Sequence, residues 1–531
     1  MDTPLTLDFF FRRAESLFPH KELVTATATG IERSNYGQWA ERTRHLGGAL
    51  ADLGVSEYGR VGTFAWNTAR HLELYFAVPC TNRVLHTLNI RLFADQIVYI
   101  ANHAEDEVIF VDRSLMALLW PLVDQLETVR HLIVMDDGDG EVPDDPRVLD
   151  YEELLSSASP VNFEVKDEKQ AASMCYTSGT TGNPKGVVYS HRSTYMHTIT
   201  TMTADGLGVC ESDVILPVVP MFHVNSWGLQ HAAVAAGATL VNPGPKLQPE
   251  PIAELMESEK VTIAAGVPTI WMGVLEELDG RVSSLRAIPC GGSAVPKSLS
   301  EGYKNKIGLP ILQAWGMTET SPLAAIAHVK SAEANLDEET KADLRASVGT
   351  IVPTVEFRIC EPHSIEELPW DGESSGELQV RGSFITAEYY KRPDAADSFT
   401  EDGWLRTGDV ATCDERGYIR LVDRTKDLIK SGGEWVSSVE VENEIMSHPK
   451  VSEAAVIAVA SEKWMERPMA CVVLKDGESL THEELVEYLT PRMAKWWLPS
   501  ATQIIDEVPK TSTGKFSKRT LRDAFADLVV E

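Results

Sequence analysis

The stretch Thr177-Ser178-Gly179-Thr180-Thr181-Gly182-Asn183-Pro184-Lys185-Gly186 constrains this chain more than any other. Its four hydroxyls, three glycines and one lysine leave almost no side-chain bulk. Glycine lets backbone N–H groups approach an anion, hydroxyls add donors, and a lysine at the edge supplies a point charge for phosphate. Ala171 to Tyr176 before it (Ser173 apart) and Val187-Val188-Tyr189 after it carry the residues of strands, so the run is predicted to join two strands tightly. A Walker A loop is excluded, because that motif needs Gly-Lys-Ser/Thr at the mouth of a helix. Here Pro184 precedes Lys185, Gly186 follows it, and a strand comes next. The loop therefore grips a nucleotide triphosphate in some other architecture.

The run resembles the phosphate loop of the adenylate-forming superfamily, which comprises acyl-CoA synthetases, luciferases and the adenylation domains of peptide synthetases. Companion motifs follow in family order from about residue 10 to residue 525. The resemblance implies an α/β fold in two parts. Residues 1–425 would form a large N-terminal domain of helix-covered sheets that binds ATP and the acid. Residues 426–531 would form a small mobile C-terminal α+β domain carrying a catalytic lysine.

Length agrees with such a division, since 531 residues exceed what one core serves. Residues 1 to about 170 alternate helical and strand patterns, as parallel sheets covered by helices do. Tyr36 to Leu53 reads as a helix ending before Gly54, Arg60 to Phe64 as a strand, Ala94 to Ala101 as a helix and Glu107 to Val111 as a strand. Residues 137–146, rich in Asp, Gly and Pro, read as an exposed loop. From Val214 to Pro245 no Asp, Glu, Lys or Arg occurs, a run long enough to suggest a membrane span. Pro217, Pro220, His223, Asn225, Gln230 and His231 interrupt it, so it is predicted to be a buried strand, a polar turn and a core helix.

A formal charge of −31 argues against nucleic acid or anionic lipid as a partner. Basic residues must then be concentrated wherever an anionic cofactor binds. The seven cysteines form no CxxC pair, which excludes a zinc module and leaves reduced cytosolic thiols as the expectation. Met1-Asp2-Thr3-Pro4 opens no basic-then-apolar pattern, so no signal peptide is read. A cytoplasmic protein without stable membrane insertion is expected.

Each further motif gains a role from the resemblance. Thr177, Ser178, Gly179, Thr180, Thr181, Gly182 and Lys185 would hold the nucleotide phosphates. A histidine in an apolar run is ordinarily a hydrogen-bonded core residue; at His223 the resemblance implies a place beside the acyl group, with Trp227 as a gate. Gly266-Val267-Pro268 and Cys290-Gly291-Gly292-Ser293-Ala294 are glycine-bearing strand ends of the kind that line ligand crevices in open α/β sheets. By resemblance Gly266 and Gly292 are implied at the acyl group, and Gly292, Ser293 and Ala294 near the adenine and the substrate carboxylate.

In Gln313 to Pro322, Trp315 offers a flat face, Thr318 a hydroxyl and Glu319 a hard oxygen suited to Mg²⁺. By resemblance Trp315, Gly316, Met317 and Thr318 contact the nucleotide, and Glu319 with Thr180 holds the metal. Asp409 and Arg424 would meet the ribose and Lys430 the nucleotide. Lys426 and Asp427 would form a hinge, and Gly432, Gly433, Glu434 and Trp435 would face coenzyme A. Lys515, in the frame Pro509-Lys510-Thr511-Ser512-Thr513-Gly514-Lys515, matches the family's catalytic lysine.

These parts imply a homodimeric ATP-dependent carboxylate–CoA ligase. The acid attacks the α-phosphorus of ATP, and a thiol then attacks the acyl-adenylate, releasing AMP. A large ring at Trp315, with Trp227 as gate, would shorten the acyl tunnel and favour a short- to medium-chain acid such as 3-methylmercaptopropionate. A medium- or long-chain fatty acid is the alternative. A luciferase-like oxygenase and a carrier-protein adenylation enzyme share the first half-reaction and stay open at this level.

Overall fold

The computed structural model describes residues 2–530 apart from 178–182, 279, 281, 362–363, 432–433, 462 and 511–515, with the backbone alone of Glu434 and Trp435. Among the described residues a seven-stranded sheet runs in the order Val148–Asp150, His131–Met135, Asp106–Asp112, Arg60–Phe64, Val84–Thr87, Ala171–Tyr176, Gly186–Ser190. Neighbours are parallel except the last pair, where Ala171–Tyr176 turns back into Gly186–Ser190. The predicted strand-to-strand connection is therefore an antiparallel one. Helices Ala69–Cys80 and Ala94–Ala104 make the crossovers between the central parallel strands.

Local signals start and stop these elements. The helix Tyr36–Asp52 begins where the Asn35 side chain accepts the Gln38 N–H, satisfying one of the first turn's orphan donors. It buries Trp39, Leu46 and Leu50 on one face. The helix from Ala94 runs a turn beyond its expected end, to Ala104, and stops because Glu105 turns left-handed at φ 60°. Residues 137–146 hold neither helix nor strand.

A second sheet, of five strands among the described residues, takes the order Ile263–Ala265, Val214–Pro217, Thr239–Asn242, Glu22–Thr27, Gly30–Asn35. The uncharged run folds into this layer as strand Val214–Pro217, helix Leu229–Ala236 and strand Thr239–Asn242. Every residue of that helix is buried, which explains an apolar sequence with no stripe. The helix ends at Gly237, φ 77°, where a Cβ would lie 2.1 Å from the Phe18 ring. Among the described residues no helix is long and apolar enough to cross a membrane.

Two smaller layers carry the second half of the large unit. Leu312–Gly316 pairs with Pro289–Cys290 and Leu323–Ile326. Val355–Cys360, Gly376–Gly382, Leu405–Cys413 and Ile419–Arg424 form an antiparallel meander. The last of these strands reaches Arg424, so Lys426 follows the sheet almost at once. A separate core then begins at Ile429 and gathers Val436, Val441, Ile445, Val456 and Leu485 around the long strands Val451–Ser461 and Met465–Leu474. The overall arrangement is a large α/β unit followed by a small α+β unit.

Candidate active site

One cleft of about 890 Å³ collects the ends of these layers. The ends of the glycine- and hydroxyl-rich run, Thr177 and Lys185, reach it from the seven-stranded sheet. Thr177 N–H donates to the Lys185 carbonyl (2.9 Å) and Lys185 N–H to Thr177 Oγ1 (3.1 Å), which closes the loop at its neck. Lys185 sends its ammonium over the Tyr389 ring, 4.5 Å from the centroid.

Glu319 faces the same cleft from a short 3-10 turn after Met317, with only 6% of its surface exposed. Its Oε1 accepts the Tyr389 hydroxyl at 2.5 Å, and its carbonyl accepts the Thr386 N–H at 2.8 Å. Burial raises the Tyr389 hydroxyl and the adjacent Glu319 charge raises it further, so it stays a donor at neutral pH. Tyr189, on the strand Gly186–Ser190, donates to the Thr318 carbonyl at 2.7 Å.

Across the cleft, Asp409 is 2% exposed and has both oxygens engaged. Oδ1 pairs with Arg424 Nε at 2.7 Å, and Oδ2 accepts the Trp315 indole N–H at 2.9 Å. The turn that presents it needs Gly408, φ 70°, whose carbonyl takes the Thr425 N–H at 2.9 Å. Each carboxylate oxygen keeps a lone pair for a further donor.

The third wall is unusual. Val224, Asn225, Ser226 and Trp227 have φ of 45°, 49°, 54° and 55°, a left-handed turn made without glycine. Such residues cost about 1–2 kcal/mol each in this conformation, so tertiary bonds must hold them. Asn225 donates to Ser173 Oγ (2.9 Å) and accepts from Cys175 Sγ (3.3 Å) and Thr87 Oγ1 (3.4 Å), while Ser226 Oγ donates to the Val219 carbonyl (2.9 Å). The turn places His223 and Trp227 on the cleft. A Cβ on Gly291 would stand 3.6 Å from the Trp227 ring and 2.5 Å from the Ala314 carbonyl, so this floor admits only glycine.

The small unit closes the cleft with Glu440, Glu442 and Asn443 and with Phe516 to Arg519. Asp423 accepts both the backbone N–H and the hydroxyl of Ser438, and Lys518 Nζ lies 2.5 Å from Ser438 Oγ and 2.8 Å from Glu442 Oε1. Burial pushes the Asp423 and Glu442 carboxyls up, against the pull of Lys518. Arg522 pairs with Asp427.

Sixteen residues singled out in the sequence thus share one cleft: Thr177, Lys185, His223 and Trp227, Gly292 to Ala294, Trp315 to Glu319, Asp409, and Arg424, Lys426 and Asp427. Two stand apart. Gly266 is not on the cleft lining; it is buried beneath Trp271, where a Cβ would lie 2.9 Å from the indole, so packing accounts for this glycine. Lys430 lies on the strand Ile429–Ser431, away from the cleft lining, with its N–H on Glu466. Ser178, Gly179, Thr180, Thr181, Gly182, Gly432, Gly433 and Lys515 lie outside the described residues, as do the side chains of Glu434 and Trp435. Among the residues that sequence reasoning passed over, Tyr389, Asp423, Glu442 and Lys518 line the cleft, and Tyr189 and Asn225 brace it from behind. Tyr389 stands 70 positions from Glu319, in a Tyr-Tyr pair that carries no chemical signal by itself.

The fold and cleft define a two-unit nucleotide-dependent enzyme. The sequence matches the AMP-binding enzyme family over residues 11–390 and the AMP-binding enzyme C-terminal domain over residues 440–515. The chain belongs to this family: it is an adenylate-forming acyl-CoA ligase, an AMP-forming acid–thiol ligase whose substrates are a carboxylic acid, ATP and CoA. It is 46% identical to a long-chain-fatty-acid–CoA ligase of Thermus thermophilus, over 99% of this chain and 96% of that one. Identity to a 3-methylmercaptopropionyl-CoA ligase of Ruegeria lacuscaerulensis is 41%, over 99% and 98%. Among solved structures, ATP-bound MatB from Rhodopseudomonas palustris is similar with a TM-score of 0.85 at 25% identity, over 98% of this chain and 99% of that one.

Proposed function

We propose that this ligase activates a short- to medium-chain acid, of which 3-methylmercaptopropionate is the type, in a pocket bounded by His223, Trp227 and Gly291. The observation that carries this reading is the strained turn that sets the Trp227 indole on the cleft lining beside the Gly291 floor. A pocket narrowed there accommodates few methylenes. The similarity to a 3-methylmercaptopropionyl-CoA ligase supports it; the similarity to a long-chain ligase keeps a fatty acid as the second reading.

In this reading Thr177, Lys185 and the loop between them bind the β- and γ-phosphates. Glu319, with Thr180, would hold Mg²⁺; a single buried carboxylate facing a phosphate site suits a cation that takes its remaining ligands from the nucleotide and water. The ion would offset charge on the departing pyrophosphate. Asp409 and Arg424 orient the ribose, and Gly292 to Ala294 border the adenine and the acid. Both reactants are anionic, so preorganised cations and donors lower the barrier. Lys515 would bridge the acid carboxylate and the α-phosphate, then withdraw as residues 426–531 rotate about Lys426 and Asp427. That rotation would bring Gly432, Gly433, Glu434 and Trp435 to CoA. A domain boundary at 425/426 fits a new core starting at Ile429. A cytoplasmic homodimer completes the reading.

The test is AMP release with a panel of C2 to C16 acids and 3-methylmercaptopropionate, with and without CoA. CoA-dependent turnover that peaks below about C8 is expected for so narrow a pocket. A peak at C14 or C16 would transfer the assignment to the fatty acid.

A further inference from the structure

We infer that Tyr389 is a positioning residue that keeps Glu319 and Lys185 apart and aims each at the metal–nucleotide complex. This rests on the reading of Glu319 as the metal ligand. Tyr389 lies between two opposite charges: its hydroxyl is 2.5 Å from Glu319 Oε1, and Lys185 Nζ stands 4.5 Å over its ring. Among the described residues Lys185 and Glu319 form no salt bridge with one another, and the Tyr389 hydroxyl engages Oε1 of the carboxylate. Direct pairing of the two would neutralise both before the nucleotide arrived.

A phenol avoids this by its chemistry. Its O–H fixes the carboxylate's orientation without cancelling the charge a cation needs, and its π face holds an ammonium without removing its charge. The ring is itself held firmly. It is 8% exposed and packs on Phe399 with centroids 5.9 Å apart. Its segment is tied to both sides of the site: Thr386 N–H donates to the Glu319 carbonyl at 2.8 Å and Tyr390 N–H to the Gly186 carbonyl at 2.9 Å. One short segment therefore sets the spacing between the phosphate loop's exit and the carboxylate.

The two roles separate by substitution. Tyr389→Phe keeps the ring and removes the hydroxyl; Tyr389→Leu removes both. Mn²⁺ is titrated into the full-length protein with a non-hydrolysable ATP analogue and followed by electron paramagnetic resonance. Analogue binding in EDTA is measured by calorimetry, and circular dichroism sets the folded concentration of each variant. Tyr389→Phe is expected to weaken Mn²⁺ binding about 10–100-fold while changing metal-free analogue binding by less than about twofold. Tyr389→Leu is expected to weaken metal-free binding as well, by about threefold or more. Parental Mn²⁺ affinity in Tyr389→Phe overturns the inference, and so do equal losses with and without metal, which packing alone would give. Glu319→Gln separates the two levels. If it too keeps parental Mn²⁺ affinity, the metal-ligand reading fails; if it loses affinity while Tyr389→Phe does not, only the role of Tyr389 fails.

Discussion

Trp315→Phe distinguishes the two things an indole can do in this cleft. By volume alone it would cap the acyl pocket, and Phe would admit a longer chain. The structure gives the indole a second task, since its N–H donates at 2.9 Å to Asp409, a carboxylate 2% exposed whose other oxygen is held by Arg424. A hydrogen bond to a charged group contributes about 1.5–3 kcal/mol net, so its loss should weaken nucleotide binding by about 10- to 150-fold. The smaller ring leaves about 40 Å³, costing about 1 kcal/mol of stability at ~24 cal/mol per Å³. Calorimetric titration with AMP gives the first quantity and the acid panel gives the chain-length profile. We expect AMP affinity to fall by at least about tenfold and the preferred chain length to stay, because the proposed acyl pocket is bounded by Trp227 and Gly291. Parental AMP affinity together with a shift to longer acids would refute this and return Trp315 to the acyl tunnel.

Other tests address the lysine, the hinge and the buried histidines. Lys515→Ala is expected to lose adenylate formation by about 3–4 kcal/mol in barrier while a supplied acyl-adenylate still reacts with CoA; equal losses in both half-reactions would make the lysine structural. Lys426→Pro fixes φ at the pivot of the proposed rotation, so it should release about one equivalent of pyrophosphate and then stall, whereas Lys426→Ala should turn over. Parental acyl-CoA formation by the proline variant would place the hinge elsewhere. Burial, reinforced by neighbouring His231, pushes His197 down to about 3. In the unfolded chain that imidazole titrates near ~6.5, so unfolding takes up a proton between those values and stability falls as pH drops below ~6.5. His197→Asn removes this slope, and its melting temperature should gain on the parent's between pH 7 and pH 4; a constant gap would contradict the reading.

The local chemistry of this protein is written in runs of residues. Thr177 to Gly186 reads as a phosphate loop from glycine, hydroxyl and lysine content, and its place between two strands follows from flanking residues alone. Gln313 to Glu319 offers a flat ring, a hydroxyl and a hard oxygen in one run, and the resemblance assigns their roles and that of Asp409. The helix at Tyr36 and the strand at Arg60 are legible because their apolar spacing and caps lie within a few residues. Tertiary structure decided what depends on distant partners. No propensity announces a left-handed turn at Val224 to Trp227; it persists because Asn225 is bound by Thr87, Ser173 and Cys175 on two strands of another layer. Gly266, which reads as a pocket glycine, is dictated by the Trp271 ring packed against it. Trp315 reads as a ring of a certain size, and only the approach of the Asp409 strand turns its N–H into the part that matters. Sequence fixes groups and local geometry; which groups face each other across the cleft is set by how the layers pack.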